Sequence, residues 1–239
     1  MLLNSTQACR QQQWTRKLEE LKSTADGLGL GLDEPIVDTV AALQLNGFNT
    51  RQSCGGHLDH GCSVPWVDIQ AENRPPFLFE RPEFMGLLCR YQGQEEIYRQ
   101  VAQERGLSLE EMMSRRRTDE AVSACQEAQT RSAAQPETSE FKRWAQENHE
   151  LFRKFERVVT TFNQQQHLSG PDRIQLSEFG SQDGFRISLG EEVDRKAHAF
   201  CTPEEVAVRQ PHTEPAREIM RSFAGYLKKT FITQGPING

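Results

Sequence analysis

Two rhythms of apolar residues alternate along the chain, and their changes mark the elements. Between Gln7 and Ser23 the spacing of Trp14, Leu18 and Leu21 predicts a short amphipathic helix. The run Gly27-Leu-Gly-Leu-Gly31 ends it, because alternating glycines disfavour helix and strand interiors alike. This run continues into Leu32-Asp33 and lacks Gly-Lys-Ser/Thr, so it reads as a linker and not a phosphate loop. Asp33 as N-cap, Pro35 in the first turn, a stripe of Ile36, Val40 and Leu43, and a stop at Gly47 predict a second helix. The period then drops to two. Phe48 to Ser53 reads as a strand, a glycine-rich loop follows, and Val64 to Ala71 reads as a second strand with Trp66 and Asp68 on one face.

From Pro82 to about Arg131 the composition is helical, with Ile97 and Val101 one turn apart and a capping box at Ser108-Leu-Glu-Glu111. Few large apolar residues fall between Arg115 and Pro136, so that stretch reads as solvated or loosely ordered. Thr138 or Ser139 opens a helix whose Phe141, Trp144, Leu151, Phe152, Phe155, Val158, Val159 and Phe162 recur at three- and four-residue steps. Such a face suits a core, and its width would also suit a homodimer interface. Ile174 and Leu176, then Phe185, Ile187 and Leu189, return to period two around the Asp-Gly turn signal at Gly184. Thr202-Pro-Glu-Glu205 is a second capping box, and Ile219, Phe223, Tyr226, Leu227 and Phe231 form a last amphipathic helix.

An isolated hairpin is marginal in water, so the two predicted hairpins gain by joining. The expected fold is α+β: a mainly antiparallel four-stranded sheet with helices on one face and a long helical insertion. The expected organisation is an N-terminal helix over 1–26 and a single α+β domain over 27–239 that carries the insertion at 82–166.

Composition narrows the class without naming a substrate. Of 239 residues 36% are hydrophobic and 26% charged, and the net charge is -6, which argues against wholesale coating of nucleic acid but not against a local basic groove. No stretch approaches the ~20 apolar residues of a membrane span, and the first residues lack the basic region and apolar run of a signal peptide. No membrane association and a cytoplasmic location are expected. The six cysteines, at 9, 54, 62, 89, 125 and 201, are scattered in a way that favours reduced thiols over a disulfide framework.

Candidate chemistry gathers in Thr50-Arg-Gln-Ser-Cys54-Gly-Gly-His57-Leu-Asp59-His60-Gly-Cys62. Cys54, His57, His60 and Cys62 offer the sulfur and nitrogen donors that zinc prefers, and the glycines would let four ligands fold around one ion. His198 and Cys201 form a remote pair that could complete a partial site. A catalytic reading makes Cys54 a nucleophile, His57 or His60 its base and Asp59 an orienting carboxylate. A structural reading makes the same residues a turn with carbonyl-capping histidines. Trp66 and Asp68, on one strand face, could present an aromatic platform and a carboxylate to a ligand near the glycine loop of Gly55 and Gly56. Arg115-Arg116-Arg117 could meet phosphate, although such a run is more often a solvated helix face.

The stretch Ile36 to Ile69, with Gly47-Phe48-x-Thr50-x-x-Ser53-Cys54-x-Gly56-His57, Asp59-His60-Gly61 and Pro65-Trp66-Val67, resembles a family of uncharacterised bacterial proteins. That family carries a Thr-x-x-Ser-Cys-Glu-Gly-His motif before a Pro-Trp-Val strand, and Gly55 stands here where it has glutamate. The resemblance implies a bacterial protein and no particular reaction. Ser53, Cys54 and Gly56 are also similar to the Ser-Ser-Cys-Ser-Gly-Arg loop of the tRNA-wybutosine methyltransferase family, with His57 in place of the arginine. That similarity implies a loop holding a nucleotide or RNA phosphate, with Arg51 and His57 as cationic help. The expected function is thus a protein whose 54–62 loop binds a metal or small anionic ligand, with catalysis open. The alternative is a non-enzymatic module contacting a protein or nucleic acid through the helical insertion.

Overall fold

The computed structural model describes residues 4–25, 29, 31–75, 94–114, 118–133, 139–178, 184–190 and 201–238. Arg115 to Arg117, His198, Cys89 and most of the turn before Gly184 lie outside the described residues. The chain divides into two compact units, one of residues 1–72 and 145–239 and the other of residues 73–144.

In the first unit α1 (Ser5–Ser23) starts from a capping box in which Asn4 and Gln7 exchange side-chain bonds. A 3-10 turn (Glu34–Ile36) leads into α2 (Val37–Leu45), and the strands β1 (Thr50–Cys54) and β2 (Trp66–Ile69) follow. The helix α6 (Ser139–Gln165), on which the boundary between the units falls, is succeeded by β3 (Ile174–Glu178), β4 (Phe185–Leu189) and α7 (Pro203–Gln234). The four strands form one sheet in the order β1-β2-β4-β3, antiparallel at each pairing. The two predicted hairpins therefore join through β2 and β4, where Val67 faces Ile187 and Asp68 faces Arg186. The fold is α+β, as the pattern predicted.

The alternation of the strands sorts the sheet into two faces. On one face Val67, Ile69, Phe185, Ile187, Leu189 and Ile174 are buried with α2, α6 and α7. Phe155 is the hub: its ring packs 4.7 Å from Phe48, 5.7 Å from Phe185 and 6.0 Å from Phe223, centroid to centroid. Trp14 and Leu21 of α1 belong to the same core. Buried amides fix its polar edges. Asn163 accepts from Ile174 N–H at 3.0 Å and donates to the carbonyl of the same residue at 2.9 Å, which ties the start of β3 to α6.

The second unit contains α3 (Gln94–Glu104), α4 (Leu109–Met113), α5 (Asp119–Ala133) and the start of α6. Ser108 and Glu111 form the predicted capping box. The stretch expected to be solvated contains α5, on which Ala121 is buried and Ala124, Cys125 and Ala128 pack with Tyr98, Val101, Met112 and Met113. Small residues let helices approach closely, so a core formed this way carries no stripe of large side chains to announce it. No described helix is long and apolar enough to cross a membrane.

Candidate functional site

The loop after β1 is built by backbone geometry and held from α7. Gly56 has φ +76°, and a Cβ there would stand 2.8 Å from the Ser63 carbonyl oxygen, so the turn requires glycine. His57 N–H donates to the Cys62 carbonyl at 2.7 Å and closes the loop. Arg217 donates from Nε to the Gly55 carbonyl at 3.2 Å and from Nη2 to the Gly56 carbonyl at 2.6 Å. Arg209 donates from Nη1 to the carbonyls of His60 and Gly61, each at 3.2 Å. Cys201 N–H reaches the Asp59 carbonyl at 2.7 Å. A polar loop clamped at so many carbonyls keeps its side chains in fixed positions.

Within this frame Asp33, Cys54 and His57 converge: one donor atom from each lies within 4.8 Å of the others. Asp33, the expected helix N-cap, makes no cap bond with its side chain. Its Oδ2 instead accepts from Gly55 N–H at 2.8 Å and stands 3.1 Å from His57 Nε2. The approach is possible because residue 55 has no side chain; a Cβ there would lie 2.9 Å from Asp33 Cβ and 3.2 Å from Pro35 Cδ. Cys54 is buried, and Gly56 N–H donates to its sulfur at 3.4 Å. Burial pushes the Cys54 thiol up to about 11, opposed by the Gly56 bond and reinforced by the charge of Asp33.

The remaining loop residues have other tasks. His60 stacks on His57 with centroids 4.0 Å apart and planes inclined by 26°, while its Nδ1 lies 2.7 Å from Asp59 Oδ1. That contact holds the Asp59 carboxyl below its usual range. Neither His60 nor Cys62 belongs to the donor cluster, so in place of the four ligands expected from spacing three donors converge that could hold a metal ion. The physical reason is that the ring of His60 is turned to Asp59 and stacked on His57, whereas Cys62 serves through its carbonyl. Of the remote pair, Cys201 meets the loop through its backbone N–H; His198 lies outside the described residues.

Trp66 and Asp68 share the sheet face of Cys54, since Cys54 pairs with Trp66 and Gln52 with Asp68. Arg186 occupies the platform they form. Its guanidinium carbon sits 3.6 Å from the Trp66 ring centroid, and Nε and Nη2 bond the two Asp68 oxygens at 2.7 and 3.1 Å. Ser53, paired with Val67, stands on the opposite face from Cys54, and Arg51 is exposed. The structure thus brings Cys54 and His57 together with Gly55 and Gly56, places Trp66 beside Cys54 on the same sheet face with Asp68 bound to Arg186, and leaves Arg51 exposed and Ser53 on the opposite face.

Sequence reasoning missed Asp33, Arg209 and Arg217. For the arginines a signal existed: eight residues apart on a helix, they lie within about 80° of one another. For Asp33 there was none, because its pairing with Gly55 spans a helix and a strand. Comparison with protein families, with curated proteins and with solved structures gave no match.

Proposed function

We propose that this chain is a metal-binding protein whose Asp33, Cys54 and His57 hold one zinc-class ion and leave a position open to a small anionic ligand. The reading rests on one observation, the convergence of a carboxylate, a thiol and an imidazole within 4.8 Å on a clamped loop. Tetrahedral zinc places its donors roughly 3.3–3.8 Å apart, given bonds of about 2.0–2.3 Å. The 3.1 Å between Asp33 Oδ2 and His57 Nε2 asks only a small adjustment. The three donor types are ones zinc accepts together, and three protein ligands with one open position is the arrangement of catalytic and not of structural zinc.

The hydrogen bonds to the donor atoms fit the same purpose. Gly56 N–H on the Cys54 sulfur would stabilise a metal-bound thiolate, and Gly55 N–H fixes the Asp33 carboxylate that faces the ion. Asp33 would supply the carboxylate that the resembled motif carries at position 55. A free nucleophile is less favoured by the same environment, because a thiol pushed up to about 11 is protonated at neutral pH. An ion reverses that preference by displacing the proton, so uptake is expected to release protons and to weaken on acidification.

The test is elemental analysis and cobalt titration of tag-free protein. One ion per chain and a thiolate-to-cobalt charge-transfer band are expected, and Cys54→Ala is expected to lose the band. No uptake of zinc or cobalt, or an unchanged band in Cys54→Ala, overturns the reading.

A further inference from the structure

A cavity of about 1180 Å³ opens in the sheet-bearing unit, walled by α6, β3, the Gly170–Asp172 turn and the first half of α7. Val64, Phe152, Val159, Leu176, Leu189 and Ile219 make much of its lining apolar. Small-molecule sites commonly combine such walls with one or two placed polar groups, in volumes of roughly 300–1,000 Å³. Here the placed group is Arg209.

Asp68 and Arg209 are the charged side chains in the buried class among the described residues, at 8% and 5% exposure. Asp68 has Arg186. Among the described residues Arg209 has no carboxylate partner: Nη1 holds the two loop carbonyls, and Nε and Nη2 have no hydrogen-bond partner there. A buried charge without a counter-charge is costly, and an unsatisfied buried donor adds to the cost. The two unused donors are those of one guanidinium edge, Nε–H and Nη2–H, which run parallel and match two oxygens of a carboxylate or phosphate.

The acids that line the cavity do not supply that partner. Glu205, half-buried and one turn before Arg209, has its carboxylate on the Thr202 N–H at 2.9 Å; Glu156, Asp172 and Glu204 are exposed, as are the basic Arg173 and His212, so water and salt screen them. They colour the rim, while the buried charge sets the interior.

We infer that this cavity binds an apolar-tailed oxyanion, a carboxylate or a phosphate monoester, with the head group on the Nε/Nη2 edge of Arg209 and the tail along the apolar wall. Both nitrogens are shielded from water, so the head group reaches them when the neighbouring wall of the cavity, to which Val208 belongs, gives way while Nη1 stays on the loop carbonyls. Val208 is 66% exposed and is thus free to do so. This inference stands apart from the metal reading, since it uses none of Asp33, Cys54 and His57.

The experiment is calorimetric titration of the full chain with sodium octanoate and with n-octyl phosphate, using octylammonium and octanol as controls. Saturable binding of at least one oxyanion at one per chain is expected, at least tenfold tighter than either control; the ratio of the two oxyanions identifies the head group. Arg209→Met is expected to weaken it tenfold or more. Arg209 also holds the loop, so Thr160→Trp, which narrows the cavity from α6 and leaves those bonds in place, is the second variant; it is expected to weaken octanoate or octyl phosphate at least fivefold while zinc uptake is retained. Absence of saturable binding, equal binding of octylammonium, or unchanged affinity in Thr160→Trp overturns the inference.

Discussion

The two faces of the sheet are both buried near its centre, yet they are held by different physics. One face packs Val67, Ile69, Phe185, Ile187 and Leu189 against helices, and its stability grows with the apolar area removed from water. The other carries Cys54, Trp66, Asp68, Arg186 and Ser188, where the charged pair Asp68–Arg186 and the bond from Gly56 N–H to Cys54 do the holding. Shape governs the first face and pairing the second. A change on the apolar face should therefore cost in proportion to the volume lost, and a change on the polar face should depend on what is left unpaired.

The largest effect is expected at the hub of the apolar face. Phe155→Ala removes a ring that touches three other aromatic rings and should cost about 3–5 kcal/mol in urea unfolding. A loss below about 1 kcal/mol would show that shape does not govern this face.

Next comes the pair on the polar face. Asp68→Leu leaves the Arg186 fork without its carboxylate and should cost about 2–3 kcal/mol. Adding Arg186→Met should restore most of it, because replacing both members of a buried pair with apolar groups removes the stranded charge. If the double variant is as unstable as the sum of the single ones, the face is governed by packing like its opposite, and the contrast collapses.

The apolar face was legible in the sequence and the polar face was not. Val67, Ile69, Ile187 and Leu189 announce themselves because period two places them together and a core accepts any good fit. Capping boxes at Ser108 and Thr202 were equally readable, since their partners are three residues apart. The partners of Cys54, Asp68 and the 55–62 loop come from residues up to 162 positions away, as in the bond from Arg217 to Gly55. Local pattern can put Arg209 and Arg217 on one side of a helix, but it carries no trace of the carbonyls they meet. Cys54 and His57 could be singled out by residue type and spacing, but their third companion Asp33 looked like an ordinary helix cap.

Alkaline titration sharpens the contrast from the side of Cys54. Its folded-state value of about 11 lies above the ordinary 9.0, so the preference for the neutral thiol is fully present below pH 9 and lost as pH rises toward 11. Two units correspond to about 2–3 kcal/mol. Melts of metal-free protein from pH 8 to 11 should show the wild type losing that much more stability than Cys54→Ala. Parallel pH profiles of the two proteins would mean that the thiol is not held neutral by burial.

The smallest expected change in stability falls at Gly55, where the two kinds of effect can be separated in one residue. Gly55→Ala puts a methyl group 2.9 Å from Asp33 Cβ, too close to stand without a shift. Overpacking of that size costs about 1–3 kcal/mol, and the lower end is expected because Asp33 is half-exposed and can retreat. Retreat has a chemical consequence. It lengthens the Gly55 N–H to Asp33 bond and carries the carboxylate away from His57, so zinc affinity should fall by tenfold or more while Tm falls by only a few degrees. On the apolar face a methyl group costs stability and nothing else. Gly55→Ala with a lowered Tm but unaltered zinc affinity would remove Asp33 from the donor set and leave Cys54 and His57 to bind without it.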